Sequence, residues 1–161
     1  MRNDSIFTTG ARRHLRRLLR SMRPLADRLD RQFRAVLRQS PYDAAPIRAL
    51  LAVTPAAASR LRTLDQFLEQ VEYNGRRLAR LNLPLTEVGE RLGEFGGLLD
   101  AALGGAFAPA REQLQLVTRL VLNRAYYQVR EAESQAFFGL YHAEVEADGL
   151  EDLLGLSLIH I

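Results

Sequence analysis

The chain has no cysteine, no lysine, no tryptophan and no unbroken apolar run of membrane-spanning length. Without cysteine there can be neither disulfide staples nor thiolate metal ligands, which sets aside the small cross-linked secreted scaffolds and the cysteine-held zinc sites. Without lysine there is no phosphate-cradling loop of the glycine-rich, lysine-ended kind. The most hydrophobic stretches are interrupted, one by Asp100 and another by Asn123 and Arg124, so no spanning helix is expected. The N-terminus is basic, but no continuous apolar segment follows its charges as a secretory signal would require. A cytoplasmic location is the expectation.

What is present suits a packed helical protein. The 161 residues fit one domain or one domain with a helical extension, and a hydrophobic share of 47% is ample for a core. All 22 basic residues are arginine, and their placement is lopsided. Residues 1–38 hold 11 arginines against Asp4, Asp27 and Asp30, a balance of +8, whereas residues 131–161 hold seven acids and no arginine. Such polarity can orient neighbours or simply decorate solvated helix faces.

Apolar residues recur at threes and fours nearly throughout, the spacing of one helix face. Leu15, Leu18, Met22, Leu25, Leu29, Phe33 and Val36 form the first stripe, with Pro24 inside it. An interior proline loses a backbone hydrogen bond and clashes with the preceding turn, at a cost of roughly 3 kcal/mol. The spacing therefore predicts a kink there, or two helices near 10–22 and 25–39. A short helix near 44–53 follows, capped by Asp43. Thr54-Pro55 marks the next start, since a capping hydroxyl stands before proline at the first helical position. Leu61, Leu64, Leu68, Val71, Gly75 and Leu78 predict one helix from there to about Leu81, continuous through Asn74-Gly75. Asn82-Leu83-Pro84 ends it. Leu85, Val88, Leu92, Phe95, Leu99 and Ala102 predict another, closed by Gly104-Gly105.

The longest pattern runs from Pro109 to about Ala147. Leu114, Val117, Val121, Ala125, Val129, Ala132, Ala136, Leu140, Ala143 and Ala147 make one stripe. Leu116, Leu120, Tyr127, Phe138 and Tyr141 make a second, expected to widen the buried surface. A helix apolar on more than one side is central to a bundle or shared with a second chain. The fold class is all-α, a bundle of about five helices with one long C-terminal helix. Residues 1–39 read as an Arg-rich helical extension and 40–154 as the main domain. The ending Gly155-Leu-Ser-Leu-Ile-His-Ile161 resembles adapter read-through at the end of an assembled sequence, so 155–161 is set apart as non-native.

Little here points to catalysis. His14 lies among arginines, which disfavour a metal cation, and His160 falls in the suspect tail. His142 and Glu146 share a helix face, yet two side chains fall short of the three or four that zinc needs. No Gly-x-Ser-x-Gly elbow is present, and the acids are scattered over helix faces. Neither an active site, a cofactor nor a metal site is expected. Two other features stand out. Gly89, Gly93 and Gly97 recur every fourth residue, with Gly96 beside them, at about 1 kcal/mol each relative to alanine. Close approach of another helix, a ligand, or a segment that deforms as a hinge could offset that cost. Arg12, Arg13, Arg16, Arg17 and Arg20, with Arg23, crowd one short helix, the makings of a contact with an anionic surface. Nucleic acid is the less favoured partner, because interleaved aromatics and polar base readers are missing.

The stretches Asn74-Gly-Arg-Arg-Leu-Ala-Arg-Leu-Asn-Leu-Pro84, Phe107-Ala-Pro-Ala-Arg-Glu-Gln-Leu-Gln-Leu-Val-Thr118 and Asn123-Arg-Ala-Tyr-Tyr-Gln-Val-Arg-Glu-Ala-Glu-Ser-Gln-Ala-Phe-Phe138 carry a resemblance. They are similar to the N-terminal helical region of soluble bacterial sensor histidine kinases, where it precedes a GAF-type or kinase core. The resemblance covers about residues 60–154. It implies a non-catalytic input segment of a two-component system, dimeric through its helices, with a kinase or output domain further along the intact chain. The kinase phosphoacceptor histidine and ATP-binding lobe have no matching positions here. The helix order also resembles globin-type sensor domains, but residues 82–104 hold no histidine for haem. The alternatives are a stand-alone helical adaptor or scaffold for a partner protein, and an arginine-driven nucleic-acid binder.

Overall fold

The computed structural model describes the backbone of residues 7–159 and the side chains of 7–146. Among them there are only helices and their connections: α1 (Thr9–Met22), α2 (Ala26–Arg38), α3 (Ala44–Leu51), α4 (Pro55–Arg60), α5 (Leu64–Arg80), α6 (Leu85–Leu103) and α7 (Ala108–Ile159). The all-α expectation holds. The predicted break at Pro24 is a 3-10 turn, Arg23–Leu25, which lets the chain pass from α1 to α2 with proline in its first turn. His160 and Ile161 lie outside the described residues, as do the side chains of Ala147 and the expected read-through tail.

Two differences from the sequence reading have local causes. The helix expected to run from Pro55 to Leu81 is broken at Leu61–Thr63. Thr54 caps α4 by accepting from the Ala57 N–H, and Thr63 caps α5 by accepting from the Gln66 N–H. Gln66 in turn accepts from the Arg62 N–H, so the four-residue stretch Thr63–Gln66 acts much as a capping box does. Asp43 occupies the cap position of α3, but its side chain makes no capping bond. The second difference is at the end. α7 runs on past Ala147, where its apolar pattern was expected to stop, to Ile159.

The end of α5 is built as expected, by backbone chemistry. Asn82 has φ 60°, its N–H bonds Ala79 O, and the Leu83 N–H reaches back to Leu78 O. That pair of bonds closes a Schellman motif with asparagine in the left-handed position, and Leu78 packs with Leu83 beneath it. Pro84 then prevents the helix from resuming. α6 ends at Gly104, whose φ of 58° glycine adopts freely and whose N–H bonds Asp100 O.

The chain divides into two compact units, Met1–Tyr126 and Tyr127–Ile161, and the division falls inside α7. The expected boundary after residue 39 is absent: Leu15, Leu18, Met22, Leu29, Phe33 and Leu37 belong to the same buried cluster as Phe67, Leu78, Phe95 and Leu122. The Arg-rich segment is thus part of the bundle over its described residues. Phe33 of α2 meets Phe95 of α6 edge to face, with ring centroids 5.3 Å apart at 86°. On the surface, Arg60 of α4 grips α2 through Asp27 and Asp30, each at 2.6 Å. Burial would lower the Arg60 guanidinium, but hydrogen bonds to the two carboxylates, and their charges, carry it above its ordinary value.

Within the first unit α7 is held in two ways. Tyr126 donates its hydroxyl to Leu83 O at 2.6 Å, fastening α7 to the α5–α6 turn. Opposite Gly75 the helices cross so closely that a Cβ built there would lie 2.9 Å from Ala125 Cβ and 3.1 Å from Leu122 Cδ2. Only glycine fits that crossing.

Candidate functional site

Three features of the surface could carry a function. The first is a cleft of about 490 Å³ between α6, the opening turns of α7 and the α3–α4 corner. One wall is α6, where Gly93, Gly96 and Gly97 leave the backbone bare above Phe95 and Leu99. The facing wall is polar: Arg111, Glu112, Gln115, Thr118 and Arg119 follow one another along one side of α7, a turn apart or less. Arg111 is engaged already, donating to Asp100 and to Gly104 O. Thr118 is buried and donates to Leu114 O at 2.7 Å.

The glycines expected to mark close packing therefore do something else. A Cβ at Gly89, Gly93, Gly96 or Gly97 meets nothing within 4 Å. No described helix lies against them, and the close approach they were expected to serve is found at Gly75. The reason is one of register. Val88, Phe95 and Leu99 turn α6 into the core, which leaves the glycine face on the open side.

Elsewhere on α6, Tyr42 of the α2–α3 loop donates to the Glu87 carboxylate. Its phenol is pushed up to about 12, first by burial, then by the hydrogen bond and by the charge of Glu87. Arg91 is held between Glu90 at 3.6 Å and Glu94 at 3.1 Å, with its Nε buried and without a partner among the described residues. This network positions the start of α6. The raised Tyr42 phenol stays protonated as a donor to Glu87, which suits a structural hydrogen bond.

The second feature is the exposed face of α7. Leu114, Val117, Ala125 and Val129 of the first stripe are buried and Val121 is half-buried, but Ala132, Ala136, Leu140 and Ala143 are exposed. The second stripe, expected to be buried, is not: Leu116 is 60% exposed, Leu120 55%, Tyr127 65%, Phe138 57% and Tyr141 54%. In the second unit every described residue from Arg130 to Glu146 is exposed. Phe137 meets Phe138 edge to face and stacks on Tyr141, so among the described residues the ring contacts of this cluster lie within α7. His142, edge-on to Tyr141, is part of the same exposed cluster.

The third feature is the arginine face of α1. Leu15, Leu18 and Met22 point into the core, leaving Arg13, Arg16, Arg17 and Arg20 exposed and Arg12 half-buried. The helix contains no acid. Below its first turns lies a groove of about 310 Å³, lined by Phe7, Leu15, Leu19, Leu61 and Leu64, with Arg12, Arg16, Arg62 and Asp65 around it.

Among the described residues there is no group of three or more candidate ligands able to hold a metal, and no helix long and apolar enough to cross a membrane. No family model, curated protein or solved structure matches the chain.

Proposed function

We propose that this chain is a non-catalytic helical input module of a bacterial two-component histidine kinase, which pairs with a second copy through α7 and passes a change in α6–α7 packing along that helix. The observation that carries the reading is the apolar exposure of α7. Phe137, Phe138, Leu140, Tyr141 and Val145 are between 49% and 67% exposed on one helix. A helix that displays large apolar side chains on a polar background gains by covering them with another protein surface. The resemblance of residues 60–154 to sensor-kinase input regions supports the choice of partner, a second copy, and of output, a kinase core further along the intact polypeptide.

The open cleft suits the input end of such a device. Its bare α6 wall and polar α7 wall stand apart at the surface, bridged by Arg111 to Asp100, above a core to which Leu99 and Leu114 both belong. A regulatory change of this kind needs two arrangements whose balance is shifted by differential contacts. The adaptor reading rests on the same exposed face with a different protein as its cover. Sedimentation equilibrium separates the two. The wild-type chain is expected to form a dimer, and Phe138→Glu with Tyr141→Glu is expected to return it to monomer with unchanged helix content. A chain that stays monomeric at high concentration would remove the paired-module reading and leave the adaptor.

A further inference from the structure

The arginine face of α1 has no part in the pairing just described, and its chemistry is one-sided. Arg13, Arg16, Arg17 and Arg20 are spaced three, one and three residues apart, so they line one exposed side of the helix over two turns, about 10 Å. No acid in α1 offsets them. The nearest carboxylates of α2, Asp27 and Asp30, are both taken by Arg60. Like charges at such spacings repel, so a face built this way stores an unfavourable interaction that an external anion would relieve.

Next to the charges lies the groove floored by Phe7, Leu15, Leu19, Leu61 and Leu64, with Arg16, Arg62 and Asp65 at its rim. An apolar floor ringed by cations fits a molecule that is itself amphipathic and anionic. A nucleic-acid backbone would use the cations and leave the apolar floor without purpose, and His14 is a single ring among the arginines of α1, short of the succession of stacking platforms that a strand of bases uses. A bilayer containing anionic phospholipid uses both, with phosphates on the arginine row and the glycerol and upper acyl region over the groove. The apolar side of α1 is committed to the core, so contact is made by charge at the surface and not by sinking the helix into the lipid.

We infer that α1 and the groove beneath it form a docking surface for anionic phospholipid membranes. This goes beyond the pairing through α7 and can fail without it.

The test is co-sedimentation of the full chain with vesicles of phosphatidylcholine alone and of phosphatidylcholine with phosphatidylglycerol. Binding is expected only to the anionic vesicles, weakening steeply as salt is raised. Each arginine near such a surface is worth about fivefold in partition, so R13Q/R16Q/R17Q/R20Q is expected to weaken binding by two orders of magnitude or more. The control R28Q/R31Q/R34Q/R38Q removes as many charges from α2 and is expected to retain most of the binding. Circular dichroism of both variants shows that each is folded. Equal losses in the two variants would reduce the effect to net charge and overturn the assignment. So would failure to bind anionic vesicles, or tighter binding to duplex or single-stranded oligonucleotides under the same conditions.

Discussion

Glycine has two opposite meanings in this chain, and they are told apart only by what surrounds each position. At Gly75 an added Cβ would run into Ala125 Cβ at 2.9 Å, an atom with no freedom to move aside. Gly75→Val is expected to lower stability by about 2–3 kcal/mol through overpacking. At Gly93 the added methyl meets open space, and the only change is a better helix former, so Gly93→Ala is expected to gain about 1 kcal/mol. Urea unfolding of the two variants measures both signs. The sequence could not distinguish them, because Asn74-Gly75 looked like a turn carried through a helix, while the regular Gly89, Gly93, Gly97 spacing looked like a packing seam. Tyr42 gives a second residue-scale expectation. Its phenol lies at about 12 when folded against 10.0 ordinarily, so folding favours the neutral form. That contribution is whole below about pH 10 and is lost as pH rises through about 12. Tyr42→Phe is expected to flatten this alkaline decline in stability, as followed by denaturant midpoints across that range.

At the scale of elements, the helices whose ends are set by proline or by a left-handed residue were readable in advance. Pro24, Thr54-Pro55, Asn82-Leu83-Pro84 and Gly104 all act where they stand in the chain. The break at Leu61–Thr63 was missed although its signal was present, in Thr63 followed three residues later by Gln66. Leu61 and Leu64 kept the apolar rhythm across the break and masked it; both are half-buried, because the short α4 and the longer α5 meet there at a corner, with Leu61 just past α4 and Leu64 opening α5 against the same core. The corner depends on its cap. Thr63→Ala removes the acceptor for the Gln66 N–H and is expected to cost about 1 kcal/mol. Amide hydrogen exchange would show that loss as faster exchange confined to the first turn of α5. Equal acceleration along the whole helix would mean the cap does not set the start of α5.

For the whole molecule, the all-α class followed from periodicity, and so did the long last helix. The burial of that helix did not follow. Two apolar stripes on one element say that two surfaces are covered, but not by what, and a single chain covers only part of the first. The same limit applies to the cleft, since a cavity is a property of how helices meet and leaves no periodic trace. The account turns on whether a second copy covers the Phe138 side of α7. The absence of cysteine makes the question direct, because any disulfide must come from an introduced thiol. In a parallel pair, Phe138→Cys would face its own counterpart, whereas Ala136→Cys, on the other side of the helix, would not. Under mild oxidation the first variant is expected to give a covalent dimer and the second to remain monomeric on a non-reducing gel. Cross-linking of Ala136→Cys alone, or of neither variant at concentrations where the wild type is tested for pairing, would contradict it.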